Sequence, residues 1–205
     1  PSMSLESEPD QPPGQRRRLL DDPVVIRALA HPLRLDLLSF VLHNPASTTA
    51  DAARELDISH GLASHHLRQL AKYGFVEQID GKDHRERPWR AVSTGLSWPT
   101  TDDSETAVAG RVLERIFAER GLRRLLDWHQ RMDNWDPAWH EISGMGQNSV
   151  YLTLPELTEL MTTVRGAIQH YIAERPLDDV ASRPPGSVPV DITMFVVPLE
   201  PAPEA

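Results

Sequence analysis

Between Thr48 and Tyr73 the sequence reads as two short helices separated by only three residues, and no other stretch limits the possible folds as much. Thr48 and Asp51 stand three apart at the start of the first helix, a relative of the capping box with Asp in the closing position. Ala52, Ala53 and Leu56 form its apolar side. Asp57-Ile58-Ser59 is then a tight turn. Asp57 falls where left-handed backbone is usually needed, a conformation Asp tolerates better than most residues carrying a Cβ. Ser59 is a strong N-cap for the next helix, and Gly74 follows that helix in the position of a C-terminal glycine. In the second helix Ala63, His66, Leu67 and Leu70 recur at helical spacing as a core face. Gly61, Ser64, His65 and Arg68 repeat that spacing on another side, which carries no large apolar residue.

Two helices joined in this way predict a helix-turn-helix, whose second helix can enter the major groove of DNA. A bare backbone, a hydroxyl, an imidazole and a guanidinium suit an approach to base edges and phosphates. Taken alone, the spacing fits a plain packing helix equally well. The flanks extend the domain. Asp22 caps a helix with Pro23 at its first position, and Val25, Ile26, Leu29 and Ala30 share one stripe. Pro32 opens a second helix, Leu33 to His43, with Leu33, Leu37, Phe40 and Val41 on its apolar side. Phe75 to Asp80 and Arg87 to Val92 read as strands around a charged hairpin tip, Gly81-Lys82-Asp83-His84. Pro88 cannot donate to a ladder, so the second strand starts at or after it, or lies at an edge.

The runs Ala28-Leu29-Ala30-His31-Pro32-Leu33-Arg34-Leu35 and Ile58-Ser59-His60-Gly61-Leu62-Ala63-Ser64-His65-His66-Leu67-Arg68-Gln69-Leu70, with the Gly74-Phe75-Val76 step toward the hairpin, resemble the ArsR-type winged helix-turn-helix regulators. The resemblance covers residues 22–93. It implies a homodimer that binds a short operator in double-stranded DNA. Carried over by position, it places His60, Gly61, Ser64, His65 and Arg68 toward the major groove. It puts Thr48 and Thr49 near phosphates, and Lys82, Arg85 and Arg87 on the wing against the backbone or minor groove. Asp83 and Glu86 interleave with the wing cations, so ordinary solvated charge is the competing reading there. His65 belongs to the DNA face and His66 to the core side.

The formal charge of −9 is unevenly spread. Residues 22–93 hold nine Lys or Arg and nine Asp or Glu, whereas residues from 94 onward hold nine basic and seventeen acidic. A neutral domain still binds DNA if its cations share one face. With no cysteine there is neither a disulfide framework nor a thiolate metal site, and a reducing cytoplasm suits the chain. No apolar run approaches a membrane span, and the first twenty residues lack the apolar core of a signal peptide. Residues 1–21 are expected to be a disordered leader in which Arg16, Arg17 and Arg18 form either a solvated tail or an arm on phosphates.

Residues 94–104 read as a polar linker and 105–198 as a dimerisation or effector region, with a tail at 199–205. The expected fold class is therefore mainly α with small β, a winged helix-turn-helix domain followed by a C-terminal α/β region. A long helix spans Glu105 to His129, with a kink expected at Gly121; Val108, Val112, Leu113, Ile116, Phe117, Leu122, Leu125 and Leu126 mark its apolar side. Alternation at Val150, Leu152 and Leu154 and at Val190, Ile192, Met194 and Val196 predicts two strands. Between them Thr153 and Glu156 make a capping box for a helix with the stripe Leu157, Leu160, Met161, Val164 and Ile168. Two strands alone bury a helix stripe poorly, so they are expected to join others.

Trp128, Trp135, Trp139 and Tyr151 are the candidate lining of an effector pocket, with core packing as the competing role. A family metal pattern, Asp-x-His followed ten residues later by His-x-x-Glu, is met in part by Asp127, His129 and His140. Ser143 replaces the last carboxylate, and Pro137 breaks the connecting helix. The expectation is therefore no metal and no cofactor. No phosphate-binding glycine loop, nucleophile elbow or zinc-protease helix occurs, so the chain reads as no enzyme. A DNA-binding regulator is the leading reading; the alternatives are a winged-helix protein-interaction module and a metal-responsive regulator.

Overall fold

A computed structural model describes residues 17–81, 87–93, 95–177 and 179–200. It is mainly helical, with two small sheets. In chain order the elements are β1 (Arg17–Leu19), α1 (Pro23–Leu29), α2 (Pro32–His43), α3 (Thr49–Glu55), α4 (His60–Lys72), β2 (Val76–Gln78), β3 (Trp89–Ala91), β4 (Gly95–Ser97), α5 (Glu105–Arg131), α6 (Pro137–Ile142) and α7 (Leu154–Glu174).

The helix starts and stops follow the local chemistry. Asp22 accepts from the Val24 N–H at 2.7 Å, and Pro23 stands at the first helical position of α1. Pro32 opens α2 in the same way, and Asn44 ends it. The Thr48–Asp51 capping box is closed in both directions. Asp57 takes the left-handed conformation at φ 50°, and Gly74 ends α4 at φ 71°. One core holds the N-terminal half together. Ile26, Leu29, Leu35, Leu37, Leu38, Val41, Ala52, Ala63, Leu67, Leu70, Phe75, Val76 and Trp89 are buried in it.

β2 and β3 pair antiparallel, with Val76 opposite Ala91 and Gln78 opposite Trp89. Ile79 N–H donates to the Pro88 carbonyl at 2.9 Å, so the ladder reaches the residue before the second strand, which begins after Pro88. An isolated bridge joins Ser47 to Trp89, tying the entrance of α3 to the hairpin.

The last residues of the expected leader and the first of the expected linker are both part of the fold. β1 runs parallel to β4, with Arg18 opposite Leu96, and Leu20 is buried in the core. The apolar pair Leu19-Leu20 is a short signal beside three arginines, and the partner strand lies 78 residues on, beyond the reach of local pattern.

α5 lies against α1, with Ala109 and Leu113 in the core and Ile116 and Phe117 packed against it. Trp98 stacks on Phe117 with ring centroids 5.3 Å apart. Gly110 has no room for a side chain, because a Cβ there would run into the Pro99 carbonyl and Trp98. α5 runs through Gly121 without a break in its helix, and that glycine admits the close approach of Thr193. Beyond the first third of α5 the chain buries little. Neither α6 nor α7 has a buried residue. The Thr153–Glu156 capping box forms, but the two expected strands do not. Among the described residues 149–152 and 188–198 join no strand ladder, and Leu154 is the first residue of α7. Alternation tells which side of an extended segment is apolar, not which segment completes its ladder.

Candidate nucleic-acid interface

α4 is held by its inner face. Ala63, His66, Leu67 and Leu70 are buried, against α2 on one side and α3 on the other. Helical periodicity then fixes what the opposite face presents: His60, Gly61, His65 and Arg68 are exposed and Ser64 is half-buried. Leu62 is exposed beside them, the one large apolar side chain near this face. Nothing lies within 4 Å of where a Cβ on Gly61 would stand, so the backbone there is open to an approaching surface. Ser59 caps the helix through the Leu62 N–H, leaving the N-terminal turn outward. The Arg68 Nε donates to the Ser64 carbonyl at 3.2 Å, which folds the guanidinium along its own helix.

Thr48 and Thr49 are less alike than their adjacency suggests. The Thr48 hydroxyl accepts from the Asp51 N–H and donates to the Asp51 carboxylate, so it is committed to the cap. Those Thr48 N–H and hydroxyl bonds, with the neighbouring Arg54, hold the Asp51 carboxyl below the usual range. The Thr49 hydroxyl accepts from the Trp89 indole N–H at 3.0 Å and keeps its own proton to donate. Arg87 is exposed at the foot of the hairpin. Lys82 and Arg85 lie outside the described residues.

Arg18 has a role the sequence did not suggest. Its guanidinium donates to the Tyr73 and Gly74 carbonyls at 2.8 and 3.0 Å and lies 4.9 Å over the Phe75 ring. It satisfies carbonyls left open at the C-terminus of α4, where a cation is also favoured by the helix dipole. Arg18 is therefore a fastening for α4 rather than part of a free arm. Trp89 is the other residue missed. Buried in the core and bonded to Thr49, it fixes the hairpin to the start of α3.

The other sequence candidates lie far along the chain. Trp128, Trp135 and Trp139 form a cluster, with successive centroids 5.5 and 5.7 Å apart, while Tyr151 is fully exposed and outside it. His140 joins the cluster edge-on to Trp128, and its Nε2 is 2.7 Å from the Met132 carbonyl. Asp127, His129 and His140 are not gathered into a ligand set; among the described residues no three such groups are. Aromatic packing at the end of α5 is what the structure displays there.

A polar joint links this half to the helix-turn-helix. Arg120 pairs with Asp36 at 2.8 Å, and Arg124 donates to the Ser39 hydroxyl at 3.1 Å and pairs with Asp191. Arg183 donates to the His43 carbonyl at 3.0 Å. Burial lowers the His43 pKa, partly offset by its bond to the Ser39 carbonyl, and the facing Arg124, Arg183 and Arg120 lower it further.

Residues 29–79 match the family profile described as a helix-turn-helix domain. No curated protein matches the chain. Among solved structures, a mutant of Lactococcus lactis ZitR is 16% identical, over 69% of this chain and 74% of that one, with a TM-score of 0.28. A mutant of S. aureus MepR bound to an oligodeoxyribonucleotide is 13% identical, over 72% of this chain and 86% of that one, with a TM-score of 0.29. A second ZitR mutant, in apo form, is 15% identical over 71% and 91%, also with a TM-score of 0.29. The matched profile and the α3–turn–α4 geometry agree, and residues 29–79 are a helix-turn-helix domain, the module that DNA-binding transcription regulators use.

Proposed function

We propose that the chain is a sequence-specific, DNA-binding transcriptional regulator of the ArsR type that acts as a homodimer. One observation carries this reading: α4 buries its apolar residues and turns outward a face of His60, Gly61, Ser64, His65 and Arg68. In this reading α4 enters the major groove, and Thr49 donates its hydroxyl proton to a phosphate at the groove edge, with Thr48 beside it. The wing residues Lys82, Arg85 and Arg87 follow the backbone or the minor groove. Support for the homodimer comes from α5. Val108, Val112, Leu122 and Leu126 are exposed at spacings that form one stripe, with the ion-paired Arg115 and Glu119 between them. A stripe of that kind suits a second copy of the same helix. Among the described residues no helix is long and apolar enough to cross a membrane.

A mobility shift of the full chain on its own promoter region tests the proposal. Retardation that weakens steeply with salt is expected. Arg68→Ala is expected to weaken binding and to lower the salt slope by about one unit, the signature of one lost phosphate contact. If the folded protein retards no promoter fragment even at low salt, the proposal fails. Sedimentation of the same sample tests the homodimer: a folded chain that stays monomeric at micromolar concentration removes it.

A further inference from the structure

Five buried side-chain polar atoms among the described residues have no hydrogen-bond partner, and three of them lie together: His31 Nδ1, Arg34 Nε and His66 Nδ1. His31 is the residue just before α2, Arg34 is in its first turn, and His66 is on the inner face of α4. The His31 and His66 rings are 4.8 Å apart, and the His65 ring meets His66 edge-on at 5.1 Å. Buried polar groups are nearly always paired, and the exceptions call for a reason. We propose that His31 and His66, tilted against each other beside Arg34, are a proton-sensitive latch that holds the recognition helix α4 against α2 when neutral and loosens it when charged.

The groups facing the pair make protonation costly. Arg34 approaches from α2 and His65 from α4; Arg34 Nη2 is itself 3.4 Å from the Arg27 carbonyl of α1, and Tyr73 faces Arg34 from the end of α4. Among the described residues no carboxylate is within ion-pair distance of either imidazole. Burial is the largest influence on both, and it disfavours the charged form. For His31 the next is Arg34; for His66 it is His31, then Arg34 and His65. All of these lower the pKa, with only the residue's own backbone opposing at His31.

The sign follows. Unfolded histidine takes its proton near pH 6.5, and the folded pair takes it lower. Below about pH 6.5 the unfolded or opened form therefore binds more protons, and closure of α4 weakens as pH falls. Above that value the latch is at full strength. The consequence for DNA rests on the function proposed above; the latch itself does not.

Hydrogen exchange of the full chain separates the two. Amides of residues 60–73, corrected for intrinsic rates, are expected to lose protection roughly tenfold or more between pH 7.5 and 5.5. In His31→Gln and His66→Gln, each retaining one imidazole, the loss is expected to shrink. Unchanged protection of α4 in the wild type, or an equal loss in both variants, overturns the latch. If the variants do not fold, NMR titration of the wild-type imidazoles decides: titration of both His31 and His66 below pH 6.5 supports the latch, and titration of either at or above it overturns the latch. A latch seen by exchange in a protein that retards no DNA leaves the packing inference standing and removes the regulator reading alone.

Discussion

Leu67→Ala is expected to lower the unfolding free energy by about 3 kcal/mol, while Leu62→Ala, five residues earlier on the same helix, is expected to change it by less than about 0.5 kcal/mol. The two residues are chemically identical and differ in facing. Leu67 is 0% exposed on the inner face of α4, a helix that packs on α2 and α3, whereas Leu62 is 41% exposed. Truncating the first removes buried methyl groups and leaves a cavity that a close-packed core fills only in part. Truncating the second removes area already in water and gains slightly in helix propensity. Urea midpoints of the two variants measure the contrast. Equal losses would mean that α4 does not divide into an inner and an outer face, and the proposed DNA surface would go with that division. Because α4 is mounted by Leu67 rather than reading anything through it, Leu67→Ala should retain DNA affinity at temperatures where it stays folded.

The helix-turn-helix was legible because its signals are local. Caps at Asp22, Thr48 and Ser59, prolines at 23 and 32, the left-handed Asp57 and the closing Gly74 each act within four residues, and each stands where the sequence put it. The split of α4 follows from periodicity alone. What escaped depends on contacts distant in sequence. Arg18 reads as one of three tail arginines until the end of α4 comes to rest beside it, fifty-five residues on. β1 and β4 are three residues each, too short to announce themselves and recognisable only as a pair. Thr48 and Thr49 look equivalent in sequence, yet one hydroxyl is spent on a cap and the other faces Trp89. In the second half the caps of α7 were again readable, while the strands were not, since alternating Val190, Ile192, Met194 and Val196 name no partner. Local chemistry decides where elements begin, and packing decides what they become.

Asp36→Ala is expected to cost about 2–3 kcal/mol, the second large effect, and to act on the joint between α2 and α5. Arg120 is only 11% exposed, its Nε is 2.8 Å from Asp36, and its Nη2 has no partner. Removing the carboxylate leaves a nearly buried guanidinium uncompensated, with Arg124 adding like charge beside it. Asp36 is itself 31% exposed, so water recovers part of the loss, and the expectation lies below the full cost of breaking a buried pair. The attraction alone is worth less than this, because both groups gave up hydration to make it. Replacing the two together, Asp36→Leu with Arg120→Met, is therefore expected to restore most of the stability, since no charge is then left buried. Denaturation midpoints of the two single variants and the double variant close the cycle. A double variant as unstable as the sum of the singles would show that the joint is held by shape rather than charge. Recovery would instead identify this pair as the electrostatic fastening between α5 and α2, the helix on which α4 packs.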